Sequence, residues 1–247
     1  MIPHHYFVTA TDTDCGKTHI GCALLALARQ RGLTTAGGKP IASGSEATAA
    51  GLRNSDAMML KAQCVPELAY EAINPVALQP AIAPHIAAAE AGQAVTLEYL
   101  QDAMMALLTQ GANGIPPDFA IIEGAGGWRV PINAEHDLAD LAAALQLPVI
   151  VVVNVKLGAL NHSRLTLEAI RHDGLPIAGW VANLADGYTA HHAQDTRLDA
   201  NLASLRQWLD APCLGVVPHL DEPTPEAMTN YLNIKPLLEE SSADEYA

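Results

Sequence analysis

The chain has 247 residues, 50% of them apolar, and a formal net charge of −14 at pH 7. This length fits one globular domain with a sizeable core, and the acidic balance argues against nucleic acid and anionic membranes as partners. No apolar stretch approaches the roughly 18 residues of a membrane span, and the N-terminus lacks the features of a signal peptide. We therefore expect a single cytosolic domain over 1–247, in which about 225–247 form a peripheral helix and a frayed tail.

The cysteines and histidines do not predict a metal site. The four cysteines show no metal-binding spacing, so we expect free thiols in a reducing compartment: Cys15, Cys22, Cys64 and Cys213. No base stands beside Cys15 in the sequence, so a catalytic role is not expected for it. Histidine pairs such as His4-His5 are interpreted as surface residues rather than ligands.

The N-terminal stretch 6–18 reads YFVTATDTDCGKT. Its β-branched and aromatic start, Tyr6–Thr9, predicts a buried strand, a polar turn follows at 11–15, and the Ala- and Leu-rich residues 17–31 predict a helix. Strand, turn, Gly-Lys-Thr and helix are the context of a phosphate-binding loop, where backbone N–H groups and a helix N-terminus face an anion.

Two side chains of this loop carry its expected chemistry. Lys17 supplies a mobile positive charge for the β/γ-phosphates of a nucleotide, and the Thr18 hydroxyl is a ligand for Mg²⁺. The usual pattern, G-x-x-x-x-G-K-[ST], has glycine where this chain has Thr11. A chance Gly-Lys-Thr at a helix start is therefore the alternative interpretation.

The next segments add a lysine and a carboxylate. Residues 34–39 predict a second strand with Lys39 at its carboxyl end, where open α/β sheets bind ligands; a surface lysine at a turn is the alternative. In the long excursion 45–117, Asp56 precedes a helix at 57–62 and is either an N-cap or a carboxylate aimed at Mg²⁺. Further helices are predicted at 86–91 and 97–109.

Residues 119–123 predict a buried strand that ends in Glu123, which is a Walker-B-like pattern. Four residues rich in glycine follow, Gly124–Gly127, and they let the backbone approach a ligand and present N–H groups to an anion. The alternative is a mobile turn. The position of this segment directly after a strand that ends in Glu123 argues against that alternative.

The rest of the chain alternates between strands and helices. Strands are predicted at 148–154, 177–183 and 213–217, and helices at 138–145, 163–171 and 195–208, with a loop at 156–162. This alternation predicts an α/β fold with a mostly parallel sheet and helices on both faces. The polar residues at the strand ends should meet at one edge, which favours nucleotide-dependent phosphoryl transfer over a binding module.

Seven blocks resemble dethiobiotin synthetase, in order and with matching spacing from about residue 6 to about residue 220. They are TDTDCGKT (11–18), GKPIASGSE (38–46), GLRNSDA (51–57), IIEGAGGW (121–128), LPVIVVVNVKLGALNH (147–162), GWVAN (179–183) and LGVVP (214–218). The resemblance implies a P-loop NTPase-like fold and a ligase of biotin biosynthesis, which joins CO₂ to 7,8-diaminononanoate with ATP and Mg²⁺ and closes the ureido ring of dethiobiotin. It also implies a homodimer with the substrate site at the interface.

The resemblance also implies roles for individual residues. Lys17 and Lys39 would be catalytic, neutralising charge on the transferred phosphoryl group, and Thr18, Asp56 and Glu123 would hold Mg²⁺. Substrate would be bound by Ser43, Gly126, Gly127 and, from the neighbouring subunit, Gly158 and Asn161. ATP would be bound by Asp14, Cys15, Gly16, Lys17, Thr18, His19, Asp56, Glu123, Gly124, Ala125, Gly126, Asn183, Leu184, Pro218, His219, Leu220 and Glu226.

Three positions depart from the family's usual residues: Ala10, Gly38 and Asn154. None of them removes a chemical group, although Gly38 is expected to loosen the neighbouring Lys39. Three alternative classes of protein remain: an amidotransferase-type synthetase, a regulatory GTPase and a partitioning ATPase. The first needs a glutaminase domain, the second an Asn-Lys-x-Asp motif and the third a lysine near the start of the loop, and none of these is evident.

Overall fold

The computed structural model describes residues 3–184 and 196–239. In chain order the strands are β1 (His4–Ala10), β2 (Thr35–Gly38), β3 (Ile41–Ala42), β4 (Glu46–Thr48), β5 (Gly51–Arg53), β6 (Val76–Ala77), β7 (Phe119–Glu123), β8 (Val149–Asn154), β9 (Ile177–Asn183) and β10 (Cys213–Val217). The helices are α1 (Lys17–Gln30), α2 (Ser55–Ala62), α3 (Tyr70–Ile73), α4 (Pro84–Glu90), α5 (Leu97–Gln110), α6 (Leu138–Leu145), α7 (Ala159–His172), α8 (Thr196–Leu209), α9 (Pro225–Met228) and α10 (Lys235–Leu238), with a 3₁₀ turn at Thr229–Tyr231.

A six-stranded sheet in the order β10-β9-β8-β1-β7-β2 forms the centre of the fold, and every neighbouring pair in it is parallel. All residues of β7 and β8 are buried, so both faces of the sheet are covered. The predicted α/β fold with a mostly parallel sheet is therefore confirmed. Because parallel strands end on the same side, the carboxyl ends of β1, β2 and β7 lie next to one another.

The excursion between β2 and β7 packs against β2, the strand at one edge of the sheet. It holds two small two-stranded sheets, the parallel pair β3–β6 and the antiparallel hairpin β4–β5. Helix α2 packs against β2 and α1, and α5 packs against β2 and α6. Apolar residues of these helices, such as Leu60 and Leu100, join the same hydrophobic core as the sheet.

Three helices begin earlier than the sequence pattern predicts. Helix α2 begins at Ser55, and its N-cap is Asn54, whose Oδ1 accepts the Ala57 N–H at 3.2 Å. The interpretation of Asp56 as an N-cap is therefore wrong, since it lies inside the first turn. Helix α4 begins at Pro84 rather than 86, where proline fits because the first helical N–H needs no partner.

Helix α7 differs most from its prediction. It begins at Ala159 after the left-handed Gly158 (φ 95°), so the second half of the predicted loop 156–162 is helical. Asn161 lies in the first turn and is not the N-cap, which corrects the alternative that it merely caps this helix. The predicted start of the next helix, Asp195, lies outside the described residues, and α8 is described from Thr196 onward.

The described part of the C-terminal segment contains the short helices α9 and α10 and packs against the rest of the fold. Ile234 and Leu237 are fully buried, and the Tyr6 hydroxyl donates a hydrogen bond to the Leu237 carbonyl. Residues 240–247, at the end of the tail predicted to fray, lie outside the described residues. Within 3–184 and 196–239, no helix combines the length and apolar character needed to cross a membrane.

Candidate active site

The turn after β1 leads directly into α1 through Gly16. This glycine is the N-cap and has a left-handed backbone (φ 81°), and a Cβ there would lie 2.3 Å from the Asn183 side-chain nitrogen. Any other residue would thus be strained and would collide with Asn183. Helix α1 has no acidic residue in its first turn and no side-chain cap, so no N-cap side chain competes with an anion for its N-terminal N–H groups.

Lys17 is buried, with 7% of its surface exposed. Its Nζ donates a hydrogen bond to the Asp12 carbonyl at 3.3 Å. Burial lowers the pKa of Lys17, and the positive charge of Lys39 lowers it further, against the opposing effect of Glu123. The folded chain thus compensates this ammonium group poorly, which suits it to receive an anion.

Lys39 has the opposite environment. It is 4% exposed, and its Nζ donates to Glu123 Oε1 at 2.5 Å, Asp56 Oδ2 at 3.0 Å and the Gly124 carbonyl at 3.2 Å. Burial alone would lower the pKa of Lys39, but the charges of Glu123 and Asp56 outweigh it and raise the pKa. The alternative of a surface lysine at a turn is therefore wrong.

Gly38 does not loosen Lys39 as expected. A Cβ at Gly38 would lie 2.9 Å from both Ile122 Cδ1 and Met104 Sδ, so the neighbouring side chains already fill the space that a larger residue would need. The close packing and the three hydrogen bonds of Lys39 hold this lysine in place. The other small departure, Ala10, is fully buried at the end of β1.

Glu123 joins the lysine to the phosphate-binding loop. Its carboxylate is fully buried, and Oε1 accepts hydrogen bonds from both Lys39 and the Thr18 hydroxyl, the latter at 2.8 Å. Its second oxygen, Oε2, is buried without a hydrogen-bond partner in the described part of the chain. Burial would raise the pKa of Asp56, but Lys39 and a hydrogen bond from Thr18 together lower it, so the Asp56 carboxylate remains ionised at neutral pH.

A cavity of about 890 Å³ opens in front of these groups. It brings together eleven of the residues predicted from the sequence: Asp14, Gly16, Lys17, Thr18, His19, Lys39, Ser43, Asp56, Glu123, Ala125 and Gly126. The Ser43 hydroxyl is buried at the wall and has no hydrogen-bond partner among the described residues. The predicted meeting of β1, β2 and β7 ends is therefore present, and the glycine-rich segment after β7 forms part of its wall.

The sequence interpretation missed part of the cavity lining: Thr13, Ala42, Ala81, Ile82, Ala83, Pro84, Arg129, Val130 and Pro131. Residues 81–84 come from a loop and the first residue of α4, and nothing in their local pattern marks them as functional. The residues 129–131 directly follow the glycine-rich block, so extending that block would have found them. Arg129 is held by Asp173 at 2.6 Å and Asp137 at 3.5 Å, and these carboxylates raise its pKa against the effect of burial.

The other predicted site residues do not line this cavity: Cys15, Gly124, Gly127, Gly158, Asn161, Asn183, Leu184, Pro218, His219, Leu220 and Glu226. Cys15 is buried behind the loop, and its carbonyl accepts a hydrogen bond from Asn183 Nδ2 at 2.9 Å. Leu184 N donates to the Val217 carbonyl at 3.0 Å, which places the β9 end beside the β10 end. Asn161 is exposed at the start of α7.

Comparison with known proteins identifies the family. A family model described as "AAA domain" matches residues 4–227. The chain is 52% identical over 232 residues to ATP-dependent dethiobiotin synthetase BioD of Pseudomonas aeruginosa, covering 94% of this chain and 97% of the relative. It is 54% identical over 226 residues to the protein of the same name from Chromohalobacter salexigens, covering 90% and 92%.

The chain belongs to the ATP-dependent dethiobiotin synthetase family. Members of this family are ATP-dependent ligases, and neither the amidotransferase-type synthetase nor the dimeric ATPase switch is favoured. The family resemblance that the seven sequence blocks indicated is confirmed.

Solved structures show the same fold at low sequence identity. A ParA family ATPase from Chlorobium tepidum matches with a TM-score of 0.50 and 14% identity, covering 96% of this chain and 90% of that one. The signal recognition particle receptor FtsY from Elizabethkingia anophelis matches with a TM-score of 0.52 and 14% identity, covering 96% and 64%. At this identity the likeness shows the P-loop NTPase-like fold alone.

Proposed function

We propose that the chain condenses CO₂ with 7,8-diaminononanoate at the expense of ATP and closes the ureido ring of dethiobiotin, a step of biotin biosynthesis. The observation that carries the proposal is the cluster of Lys17, Lys39, Thr18 and Glu123 around one cavity, in a chain about half identical to dethiobiotin synthetases over nearly its whole length. The two lysines supply positive charge where a phosphoryl group transfers, and the wall that contains Ser43 offers room for an organic acceptor.

The phosphates of ATP would lie at the turn 12–18. The backbone N–H groups at the start of α1 and the glycine-rich segment 124–126 donate to phosphate oxygens, and Lys17 adds its charge. Because the pKa of Lys17 is lowered in the folded chain, an incoming polyphosphate gives its ammonium group the anionic partner that the protein itself does not supply.

The chemical steps divide between the two amines of the substrate. One amine adds to CO₂ and loses a proton, which gives a carbamate. A carbamate oxygen then attacks the γ-phosphorus, the bond to ADP breaks, and a carbamic–phosphoric anhydride forms. The second amine attacks the carbonyl carbon, phosphate leaves, and a proton is lost as the ring closes. Lys39 stabilises the charge that develops on the transferred phosphoryl oxygens, and Ser43 donates its free hydroxyl to the carbamate.

The residues present fit a bound Mg²⁺. Thr18, Asp56 and Glu123 present hard oxygen ligands, and Glu123 Oε2 is buried without another partner in the described ranges. No cluster of three or more His, Cys, Asp or Glu side chains suitable for a metal is found in the described residues, which agrees with the few carboxylates that Mg²⁺ sites use beside phosphate and water oxygens. The ion would neutralise phosphate charge.

The adenine base would extend from the cavity toward the ends of β9 and β10. Asn183 donates one amide hydrogen to the Cys15 carbonyl, which fixes the orientation of its side chain. The rest of the amide retains a donor and an acceptor, which match adenine N6 and N7. Leu184 and Pro218–Leu220 would line the base pocket, and Glu226 would contact the ribose.

A second copy of the chain would complete the diamine site. Leu157 is 98% exposed, and it directly precedes Gly158, the N-cap of α7. No side chain caps this helix start, and Asn161 is exposed beside it. The exposed apolar side chain suits a subunit interface. The uncapped helix N-terminus beside it suits the carboxylate of a substrate bound in the neighbouring subunit.

The proposal is tested by incubating the purified protein with Mg·ATP, 7,8-diaminononanoate and ¹³C-bicarbonate. We expect dethiobiotin with one ¹³C atom in its ureido carbonyl, and one phosphate released for each product molecule. Omitting the diamine or the bicarbonate should stop phosphate release. The Lys17→Ala control should form no dethiobiotin and release no phosphate. Phosphate release that is indifferent to the diamine would instead indicate an ATPase without ligase activity.

A further inference from the structure

A buried chain of hydrogen bonds joins the backbone carbonyls of Ser43 and Lys39. Asn54 Nδ2 donates to the Ser43 carbonyl at 3.1 Å, and the Asn54 backbone N–H donates to the Tyr70 hydroxyl at 2.8 Å. The Tyr70 hydroxyl donates to Asn74 Oδ1 at 2.9 Å, and Asn74 Nδ2 donates to the Lys39 carbonyl at 2.7 Å. The Tyr70 hydroxyl therefore connects Asn54 to Asn74 within this hydrogen-bond network.

The same network fixes the helix that carries Asp56. Asn54 Oδ1 caps α2 by accepting the Ala57 N–H, so the residue that contacts the Ser43 carbonyl also sets where α2 begins. Asp56 lies in the first turn of this helix and pairs with Lys39 at 3.0 Å. Lys39, Ser43 and Asp56, which are all assigned to the reaction, thus lie on segments that Asn54 and Asn74 hold together.

These linking side chains are buried and lie outside the cavity lining. Asn54, Tyr70 and Asn74 are only 4%, 5% and 3% exposed, and the guanidinium of Arg53 covers the Tyr70 ring at 4.1 Å. Burial raises the pKa of Tyr70, which keeps its hydroxyl protonated and able to donate at neutral pH. Fully paired buried polar groups hold a backbone rigidly, because each unpaired group would be costly.

We infer that the Tyr70 hydroxyl is a positioning group for the ligase reaction: by bridging Asn54 to Asn74, it holds the backbones of Lys39, Ser43 and Asp56 in register with one another. The inference rests on the proposed roles of those three residues. Displacing a reacting group by about 1 Å can cost a rate factor of up to about 10². The phosphate-binding loop has no part in this network, so its contribution to nucleotide binding should not depend on Tyr70.

Tyr70→Phe tests the inference, because it removes the bridging oxygen and leaves the ring under Arg53. The matched control is Tyr6→Phe, which removes another buried tyrosine hydroxyl, the one that donates to the Leu237 carbonyl far along the chain. We expect similar losses of melting temperature in both variants. We expect kcat to fall about tenfold in Tyr70→Phe and to stay unchanged in Tyr6→Phe, with equal dissociation constants for ATP measured in EDTA.

Hydrogen exchange gives a readout that does not depend on the reaction. Peptides covering 39–45 and 54–58 should exchange faster in Tyr70→Phe and unchanged in Tyr6→Phe. The inference is overturned if Tyr70→Phe matches the control in both kcat and exchange, or if only its melting temperature falls. If the parent protein forms no dethiobiotin, the proposed function fails, and the exchange pattern alone decides whether Tyr70 holds these segments.

Discussion

Lys17 and Lys39 line the same cavity, yet only the replacement of Lys39 with methionine should lower the stability of the fold. Lys39 Nζ lies 2.5 Å from Glu123 Oε1, and the Glu123 side chain has no exposed surface. Lys17 Nζ instead donates to a backbone carbonyl, that of Asp12, at 3.3 Å. Methionine keeps most of the aliphatic volume and removes the charge, so the comparison tests electrostatics rather than packing.

The magnitudes follow from the two environments. Lys39→Met leaves the buried Glu123 carboxylate without its nearest cation, and breaking a buried pair in this way costs about 3–5 kcal/mol of unfolding free energy. With a urea m-value of about 3 kcal/mol/M, the unfolding midpoint should fall by about 1–1.7 M. The folded-state pKa of Lys17 lies below its unfolded value, so its positive charge opposes folding at neutral pH. This loss of unfolding free energy fades only as pH rises through the folded-state pKa. Lys17→Met should therefore keep or raise the midpoint.

Urea unfolding and dethiobiotin formation are measured on both variants and on the double variant Lys39→Met/Glu123→Gln. Both single variants should lose activity by about 10³-fold or more, since each removes positive charge from the phosphoryl group. The double variant should regain part of the lost stability and none of the activity, because no carboxylate charge is left buried beside the missing ammonium. The reasoning is refuted if Lys17→Met is destabilised as much as Lys39→Met, or if the double variant is no more stable than Lys39→Met.

Three further predictions concern the metal, the dimer and pH. Asp56→Asn should raise the Mg²⁺ concentration for half-maximal activity, because it removes one ligand charge; a titration that overlays the parent would exclude this residue from the metal site. Co-refolding inactive Lys17→Ala with Asn161→Ala should restore roughly a quarter of all sites, since each mixed dimer has one intact site; no recovery in mixed dimers proven by mass spectrometry would mean that each subunit builds its site alone. Burial raises the pKa of Tyr6 to about 12, so folding favours its neutral form, and this contribution is full below pH 10 and lost as pH rises toward 12. The stability advantage of the parent over Tyr6→Phe should therefore shrink by about 1 kcal/mol between pH 9 and pH 11, and a constant difference would contradict this.

Local patterns were sufficient for most of the fold. The strands Phe119–Glu123, Ile177–Asn183 and Cys213–Val217 have the predicted limits, because short apolar runs bounded by turn residues suit buried parallel strands. Helix starts were less predictable, since a cap depends on one hydrogen bond. Asn54 rather than Asp56 caps α2, and α7 begins at Ala159, four residues earlier than predicted.

The sequence by itself determined which polar side chains meet at the carboxyl ends of the parallel strands. The Gly-Lys-Thr loop, Lys39 after β2 and Glu123 at the end of β7 could be located because parallel strands end on one side and bring their following residues together. Periodicity and motif spacing report this kind of information, since both depend on neighbours within a few residues along the chain.

Only the tertiary structure decided how those groups are held. Lys17 and Lys39 look alike in sequence, yet their pKa values shift in opposite directions, because only Lys39, of these two lysines, forms ion pairs with Glu123 and Asp56. The wall at 81–84 and the bridge through Tyr70 likewise join segments that are far apart in the chain. Burial and contact between distant residues set these properties, and no local pattern encodes them.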